Sequence, residues 1–247
     1  MDTRALEVSL LNAKSLCVFT GAGVSQESGI PTFRGENGLW KQFRAEDLAT
    51  PEAFERNPQL VWEWYAWRRE LIHNAQPNAA HRALAQIESA LSMKSDGRFT
   101  LITQNVDGLH QRAGSQNIIL LHGDIWVLRC SACDFQRRDE SVPLHPLPPI
   151  CPACRSLLRP GVVWFGEPLP SADWTDATHA AEAADVFLVI GTSALVYPAA
   201  HLPQLAKQHG AQLIEINPER TALSSLADLF IQGKAAEAFA SIQIHIE

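Results

Sequence analysis

Short apolar segments alternate with helical patterns along most of this chain. The apolar segments have the length of buried strands, and the predicted helices between them cover residues 79–93, 172–184 and 199–209. Strands that alternate with helices pair in parallel, so the pattern predicts an α/β fold whose largely parallel sheet carries helices on both faces. The predicted strands are residues 16–19, 99–103, 118–121, 186–190, 213–216 and 229–231.

Polar or glycine-rich motifs follow five of these strands. A parallel sheet binds ligands at the carboxyl ends of its strands, so we expect these motifs to meet at one site. Turns collect Gly, Asn and Ser without any ligand, which explains one such motif better than five. In chain order the motifs are Gly21, Ala22 and Gly23; Gln104 and Asn105; His122; Gly191, Thr192 and Ser193; and Asn217.

The first of these turns begins like a nucleotide-binding loop. Gly21 and Gly23 would let the backbone approach a pyrophosphate, whose charge the N–H groups of the next helix could receive. The third glycine of a dinucleotide fingerprint is replaced by Gln26, and no isolated acidic residue follows about 20 residues later. A tight turn without a ligand would use the same glycines, so they do not identify the ligand by themselves.

Four of the five cysteines form two closely spaced pairs. Cys130 and Cys133 make one pair, Cys151 and Cys154 the other, and this spacing is typical of a zinc ribbon. Two disulfides would suit an exported mini-domain better than a chain of this size. Four thiolates complete a tetrahedron and leave no position for water, so we predict a structural zinc ion. Cys17 lies in an apolar segment and is predicted to be a core residue.

Composition excludes several classes of protein. With 247 residues the chain can bury a large core, and its net charge of −7 leaves no basic excess for nucleic acid. Arg4, Glu7 and Lys14 interrupt the N-terminal segment, so we expect no signal peptide, no membrane contact and a cytoplasmic protein. The sequence does not determine the oligomeric state, and a monomer is the working expectation.

Several motifs together resemble those of the sirtuins, the NAD-dependent protein lysine deacylases. The matching segments are ESGIPTFR at residues 27–34, TQNVDGLH at 103–110, LHG at 121–123, RPGVVWFGE at 159–167, GTS at 191–193 and NP at 217–218. They occur in order over residues 16–235, nearly the whole chain. One such match could arise by chance, but all of them together could not.

The resemblance implies a Rossmann-like NAD-binding lobe formed by residues 1–37, 77–125 and 159–247. Residues 38–76 and 126–158 depart from the alternating pattern, and by the same resemblance they form a smaller lobe with a helical part and the zinc part. The implied NAD-binding residues are Gly21, Ala22, Gly23, Phe33, Arg34, Trp40, Gln104, Asn105, Val106, Asp107, Gly191, Thr192, Ser193, Asn217, Pro218, Glu219 and Ala235. The implied substrate channel includes Val162, Trp164 and Phe165.

The resemblance also implies the chemistry. The acyl oxygen of a modified lysine attacks C1′ of the nicotinamide ribose and expels nicotinamide. A histidine then acts as general base on the ribose hydroxyls, and the acyl group ends on ADP-ribose. His122 is the candidate base, since an imidazole titrates near neutral pH; His110, on a predicted helix, is the competitor. Asn105 and Asp107 are expected to orient the ribose, although the same two residues could cap a helix.

The helix predicted at residues 58–73 carries the most discriminating feature. Tyr65 and Arg68 are three residues apart and share a helix face, so both could bind one carboxylate. This resembles the Tyr-x-x-Arg pair of sirtuins that remove succinyl and malonyl groups. Arg69 lies on the same face at a spacing of four, and spacing alone does not choose between the arginines. The other interpretation is an amphipathic helix with its arginines in solvent.

We therefore predict an enzyme that removes succinyl, malonyl and also acetyl groups from acylated lysines of protein substrates. The alternative is a mono-ADP-ribosyltransferase on the same fold. The missing third glycine disfavours a dehydrogenase, and the four-cysteine site disfavours a zinc hydrolase. A non-catalytic acyl-lysine reader would not need His122 together with Asn105 and Asp107.

Overall fold

A six-stranded parallel sheet forms the centre of the larger part of the molecule. The computed structural model describes residues 3–32, 43–240 and 242. The strand order is β3-β2-β1-β7-β8-β9, and every neighbouring pair is parallel, as predicted. These strands are β1 (Ser15–Thr20), β2 (Arg98–Thr103), β3 (Ile118–Leu120), β7 (Val186–Ile190), β8 (Gln212–Asn217) and β9 (Leu229–Gln232).

Helices cover both faces of this sheet. Along β1, Leu16 and Val18 pack into the core on one face, and Cys17 and Phe19 into the core on the other. Side chains of a strand alternate between its faces, so a strand buried on both sides is mostly apolar along its length. The α-helices among the described residues are α1 (Arg4–Asn12), α2 (Gly23–Gln26), α3 (Ala45–Leu48), α4 (Pro51–Arg56), α5 (Pro58–Asn74), α6 (Ala79–Ser92), α7 (Leu109–Ala113), α8 (Ser171–Glu182), α9 (Leu202–Gln208) and α10 (Ala235–Ala240).

A second core lies away from the parallel sheet. Helices α4 and α5 pack there with a three-stranded antiparallel sheet in the order β5-β4-β6, around residues that include Trp62, Tyr65 and Trp126. The strands are β4 (Gly123–Cys130), β5 (Gln136–Arg138) and β6 (Leu158–Val162). The predicted lobe boundary at 125/126 falls inside β4, and the boundary at 158/159 falls inside β6. These two strands pair with each other, so the small sheet includes residues from both sides of each boundary.

Most element ends lie within two residues of the predicted ones. The stretch predicted as one helix at residues 199–209 is a short 3₁₀ turn, Ala199–His201, followed by α9, with Pro203 in the first turn of the helix. Helices α1 and α10 and the three strands of the small antiparallel sheet had no counterpart among the predicted elements. Among the helices that the structure describes, none has the length and hydropathy needed to cross a membrane.

Candidate functional site

A cavity of about 630 Å³ opens at the carboxyl ends of the parallel strands and extends to the second core. It collects most of the residues predicted for the site. The predicted residues on its wall are Gly21, Ala22, Gly23, Tyr65, Arg68, Gln104, Asn105, Val106, His122, Val162, Trp164, Phe165, Gly191, Thr192, Ser193, Asn217, Pro218 and Glu219.

Among the described residues predicted for NAD and substrate, two do not line this cavity. Asp107 and Ala235 are buried behind it, with 4% of each residue exposed. Phe33, Arg34 and Trp40 lie outside the described residues.

The glycine turns after β1 and β7 are packed against each other. A Cβ atom at Gly21 would lie 2.7 Å from Cβ of Thr192, and one at Gly23 would lie 2.7 Å from the carbonyl oxygen of Gly191. The amide of Gly23 donates to that same oxygen at 2.8 Å. These glycines are therefore required by loop packing, and the Gly23 N–H predicted to receive a phosphate charge is already bonded within the protein.

Asn105 is held by hydrogen bonds from behind the cavity wall. Its side-chain amide donates to the carbonyl oxygen of Gly21 at 3.1 Å and to Oγ of Ser25 at 3.2 Å. With both N–H bonds directed at the protein, the amide oxygen is the atom left to meet a ligand.

Asp107 acts one step further from the cavity. Its carboxylate accepts hydrogen bonds from Oγ of Ser25 at 2.8 Å and from the backbone N–H of Leu109 at 2.8 Å. Burial raises the pKa of this carboxyl above its ordinary value, although both hydrogen bonds and Arg68 oppose the rise. Asp107 thus binds the first backbone N–H of α7 and supports Asn105 through Ser25, a residue for which the sequence predicted no role.

His122 lies between β3 and β4 and is half-buried on the cavity wall. Its Nδ1 is 3.0 Å from the carbonyl oxygen of Gln104. A carbonyl can only accept, so Nδ1 carries the proton and Nε2 keeps the basic lone pair. Burial lowers the pKa of His122 below its ordinary value, and the bond to Gln104 only partly offsets this. The imidazole is therefore neutral and able to accept a proton at neutral pH.

The competing histidine is a core residue. His110 is 1% exposed, and its Nε2 lies 3.1 Å from Oγ1 of Thr20. Its ring packs against that of His81 with centroids 4.7 Å apart. Burial lowers its pKa well below the ordinary value. Of these two histidines, His122 lines the cavity and His110 does not.

Tyr65 and Arg68 of α5 both face the cavity. The Tyr65 hydroxyl accepts a hydrogen bond from Nε1 of Trp164 at 2.9 Å. Burial raises the pKa of Tyr65 to about 12, so the phenol keeps its proton. Arg68 is half-buried, with its guanidinium carbon 5.1 Å from the centroid of the Trp64 ring. A phenol and a guanidinium on one wall can bind a carboxylate.

Arg69 turns away from the cavity and is 1% exposed, which excludes the interpretation of both arginines in solvent. Its guanidinium donates to the carbonyl oxygens of Ile125 and Ser141 at 3.2 and 3.1 Å. It also forms an ion pair with Asp139 at 3.5 Å. Spacing alone could not choose between Arg68 and Arg69. In the structure Arg69 links α5 to β4 and to the segment after β5.

The four paired cysteines come together as a cluster whose Sγ atoms all lie within 4.8 Å of one another. The Sγ atoms of Cys130 and Cys154 are 3.4 Å apart, and those of Cys133 and Cys151 are 3.8 Å apart. A Zn–S bond of about 2.3 Å gives a tetrahedral edge of about 3.8 Å, so the donor set fits zinc. None of the four cysteines is among the described residues that line the cavity.

The rim of the cavity includes residues that sequence reasoning missed. Leu195 and Tyr197 are 54% and 74% exposed, and with the predicted Phe165 they give the opening an apolar edge. Arg220 and Thr221 line the cavity beyond β8. Leu195 and Tyr197 follow the motif at 191–193, and Arg220 and Thr221 follow the predicted residues at 217–219. This proximity was the only available signal, since these residue types are common in loops.

Comparison with known proteins gives concordant matches. The family model described as "Sir2 family" matches residues 21–198. A relative from Caldanaerobacter subterraneus subsp. tengcongensis, named NAD-dependent protein deacylase 1, is 53% identical over 237 residues, which are 96% of this chain and 96% of the relative.

Two solved structures have nearly the same fold. One is a Sir2 homologue bound to NAD, 51% identical with a TM-score of 0.90, covering 97% of this chain and 91% of that one. The other is a mutant Sir2 homologue bound to 2′-O-acetyl ADP-ribose. It is 49% identical with a TM-score of 0.90, covering 99% of this chain and 100% of that one.

Proposed function

This chain belongs to the Sir2 family, and from this premise we propose that it is an NAD-dependent deacylase that removes acidic acyl groups from protein lysines. Succinyl and malonyl groups are the proposed substrates, and acetyl is a further one. The products are nicotinamide, O-acyl-ADP-ribose and free lysine. The observation that carries the proposal is the presence of Tyr65 and Arg68 in the same cavity as His122.

NAD is assigned to the part of the cavity formed by the loops after β1, β2, β7 and β8. The close packing of the two glycine turns makes a wall without side chains, which a pyrophosphate could approach closely. Asn105 is proposed to orient the nicotinamide ribose with its amide oxygen, and Asp107 to act through Ser25. Phe33, Arg34 and Trp40 are assigned to the same ligand from their motif alone.

When bound, NAD supplies the electrophilic ribose carbon and accepts the acyl group. The chain has to orient the ribose, bind the acyl group and remove one proton. His122 is the proposed base, since its Nε2 is unprotonated and its ring is fixed by Gln104. A positioned general base contributes about 10²–10⁴-fold to a rate.

Arg68 and Tyr65 are proposed to recognise the distal carboxylate of the acyl group. A carboxylate in this cavity loses water and needs charged or polar partners in exchange. The guanidinium supplies a charge and a pair of parallel N–H groups, and the phenol supplies one O–H. An acetyl group has no carboxylate, so the pair gives it no comparable binding energy.

Zinc is proposed to stabilise the four-cysteine end of the small sheet. Cys130 ends β4, and Cys151 forms a backbone hydrogen bond with Ser156 in the turn before β6. The ion would thus fix the ends of two paired strands. Since four thiolates fill its coordination sphere, it supplies no reacting water.

The proposal is tested with acetyl-, malonyl- and succinyl-lysine versions of one peptide, each with and without NAD. We expect NAD-dependent loss of the acyl mass from the peptide, with higher kcat/KM for the two acidic groups. Mass spectrometry should detect O-acyl-ADP-ribose in equal amount. ADP-ribose attached to a protein, with acyl-lysine intact, would contradict deacylation and indicate the transferase instead.

A further inference from the structure

The hydroxyl oxygen of Tyr65 already accepts one hydrogen bond within the protein. Nε1 of Trp164 donates to it at 2.9 Å, and both side chains are buried. A phenol has one proton to donate, and an indole N–H can only donate. The Trp164 bond therefore leaves the Tyr65 proton for another acceptor. Both residues line the cavity, where that acceptor can be a ligand.

Two other side chains pack against the Trp164 ring, Arg159 over its face and Phe54 at a tilt of 44°. The guanidinium carbon of Arg159 lies 3.3 Å from the ring centroid, and the Phe54 ring lies at 5.3 Å. These two contacts resist rotation of the indole out of its plane. The direction of the Nε1–H bond is thus set by its packing as well as by its hydrogen bond.

Arg159 is fixed in turn by Glu167. One nitrogen of its guanidinium donates to Oε1 of Glu167 at 2.5 Å, and the other donates to Oε2 at 2.8 Å and to the Val162 carbonyl oxygen at 3.0 Å. The backbone N–H of Trp164 also donates to Oε2 of Glu167 at 2.8 Å. Glu167 therefore fixes Trp164 twice, through its backbone and through the arginine stacked on its ring.

We infer that Trp164 is a positioning residue for acyl selectivity, which turns the Tyr65 hydroxyl proton toward the carboxylate of an acidic acyl group. Arg159 and Glu167 keep the indole in the orientation that this requires. The inference rests on the proposed function and deepens it. Without the Trp164 donor, the Tyr65 hydroxyl can rotate and lose its direction toward the ligand.

The test is Trp164→Phe, which keeps an aromatic ring and removes the N–H donor. We expect the ratio of kcat/KM for succinyl-lysine to that for acetyl-lysine to fall about tenfold, equivalent to about 1.4 kcal/mol. Most of the fall should be in the KM for succinyl-lysine, because the hydrogen bond is to a binding group.

A matched control is Trp62→Phe. Trp62 is fully buried beside Tyr65, with ring centroids 6.4 Å apart, but its Nε1 donates to the carbonyl oxygen of Leu158. This variant should lose stability and keep the selectivity ratio. An equal loss of the ratio in both variants would overturn the inference, because it would mean that any weakening of this core reduces selectivity.

The double variant Tyr65→Phe/Trp164→Phe separates positioning from packing. In a protein that already lacks the hydroxyl, Trp164→Phe should reduce the ratio no further. If Tyr65→Phe lowers the ratio and Trp164→Phe leaves it unchanged, the inference is overturned and the acidic pocket stands. If Tyr65→Phe itself leaves the ratio unchanged, both the proposed acidic pocket and the inference about Trp164 are overturned. Should Trp164→Phe not fold, Glu167→Gln is expected to lower the ratio, and an unchanged ratio would count against the inference.

Discussion

The proton of the His122 ring is held on Nδ1 by the carbonyl oxygen of Gln104, which joins the loops after β2 and β3. The sequence predicted both residues for the site because each follows an apolar strand. It could not predict which ring nitrogen would carry the proton, since that depends on a contact between residues 18 positions apart. The burial that lowers the pKa of His122 is likewise a property of the folded chain.

Removal of the imidazole should leave binding of NAD largely intact and reduce turnover. We expect His122→Ala to lower kcat by about 10²–10⁴-fold, the usual contribution of a general base. Single-turnover kinetics and NAD titration measure the two effects separately. Turnover close to that of the unchanged protein would move the base elsewhere, with His110 as the next candidate.

The pH dependence should follow the lowered pKa of His122. Only the neutral imidazole accepts a proton, so kcat/KM falls as the pH drops through the histidine pKa of the free enzyme. Because burial lowers this pKa, the midpoint of the acidic limb should lie below about 6.5, the ordinary value for histidine. A pH profile with a midpoint at or above that value would contradict the assignment.

Helix α5 shows how far an element can be predicted. Its tryptophan-rich pattern gave the helix and the shared face of Tyr65 and Arg68, but Arg68 and Arg69 differ by only one position. In the structure Arg68 faces the cavity and Arg69 faces β4. Choosing between them requires the position of the small sheet, which no local pattern contains. The cluster of four cysteines was easier to predict, because the spacing of the two pairs alone indicates a set of metal ligands.

Loss of one zinc ligand should weaken the small sheet and activity together. We expect Cys151→Ser to lower Tm by about 10 °C, because structural zinc contributes directly to folding. A loss of about 3 kcal/mol in the free energy of unfolding lowers the Tm of a chain of this size by about 6–12 °C. Zinc content should fall with it, while Cys17→Ala, which alters the buried cysteine of β1, should keep zinc. A Cys151→Ser protein of unchanged Tm and zinc content that has lost activity would contradict a structural role.

At the scale of the molecule, the cavity joins parts of the chain that are distant in sequence. The parallel sheet was predictable because strands buried on both faces are mostly apolar, and the motifs marked where those strands end. The rim at Leu195, Tyr197 and Arg220 was not predictable, because its residues carry no motif and are brought together only by the fold. His122, which follows the edge strand β3, and Arg68 of α5 both line this cavity.

The central claim is that this cavity combines Sir2-family chemistry with recognition of an acidic acyl group. The most direct measurement is kcat/KM for succinyl- and acetyl-lysine peptides in the unchanged protein, in Arg68→Met and in Arg56→Met, which alters an exposed arginine at the end of α4. Removing the charged partner of a desolvated carboxylate costs about 2–5 kcal/mol, or roughly 30- to several thousand-fold. We predict a loss of this size for succinyl-lysine in Arg68→Met, a much smaller loss for acetyl-lysine, and an unchanged ratio in Arg56→Met. Equal losses for both peptides in Arg68→Met would contradict the acidic pocket.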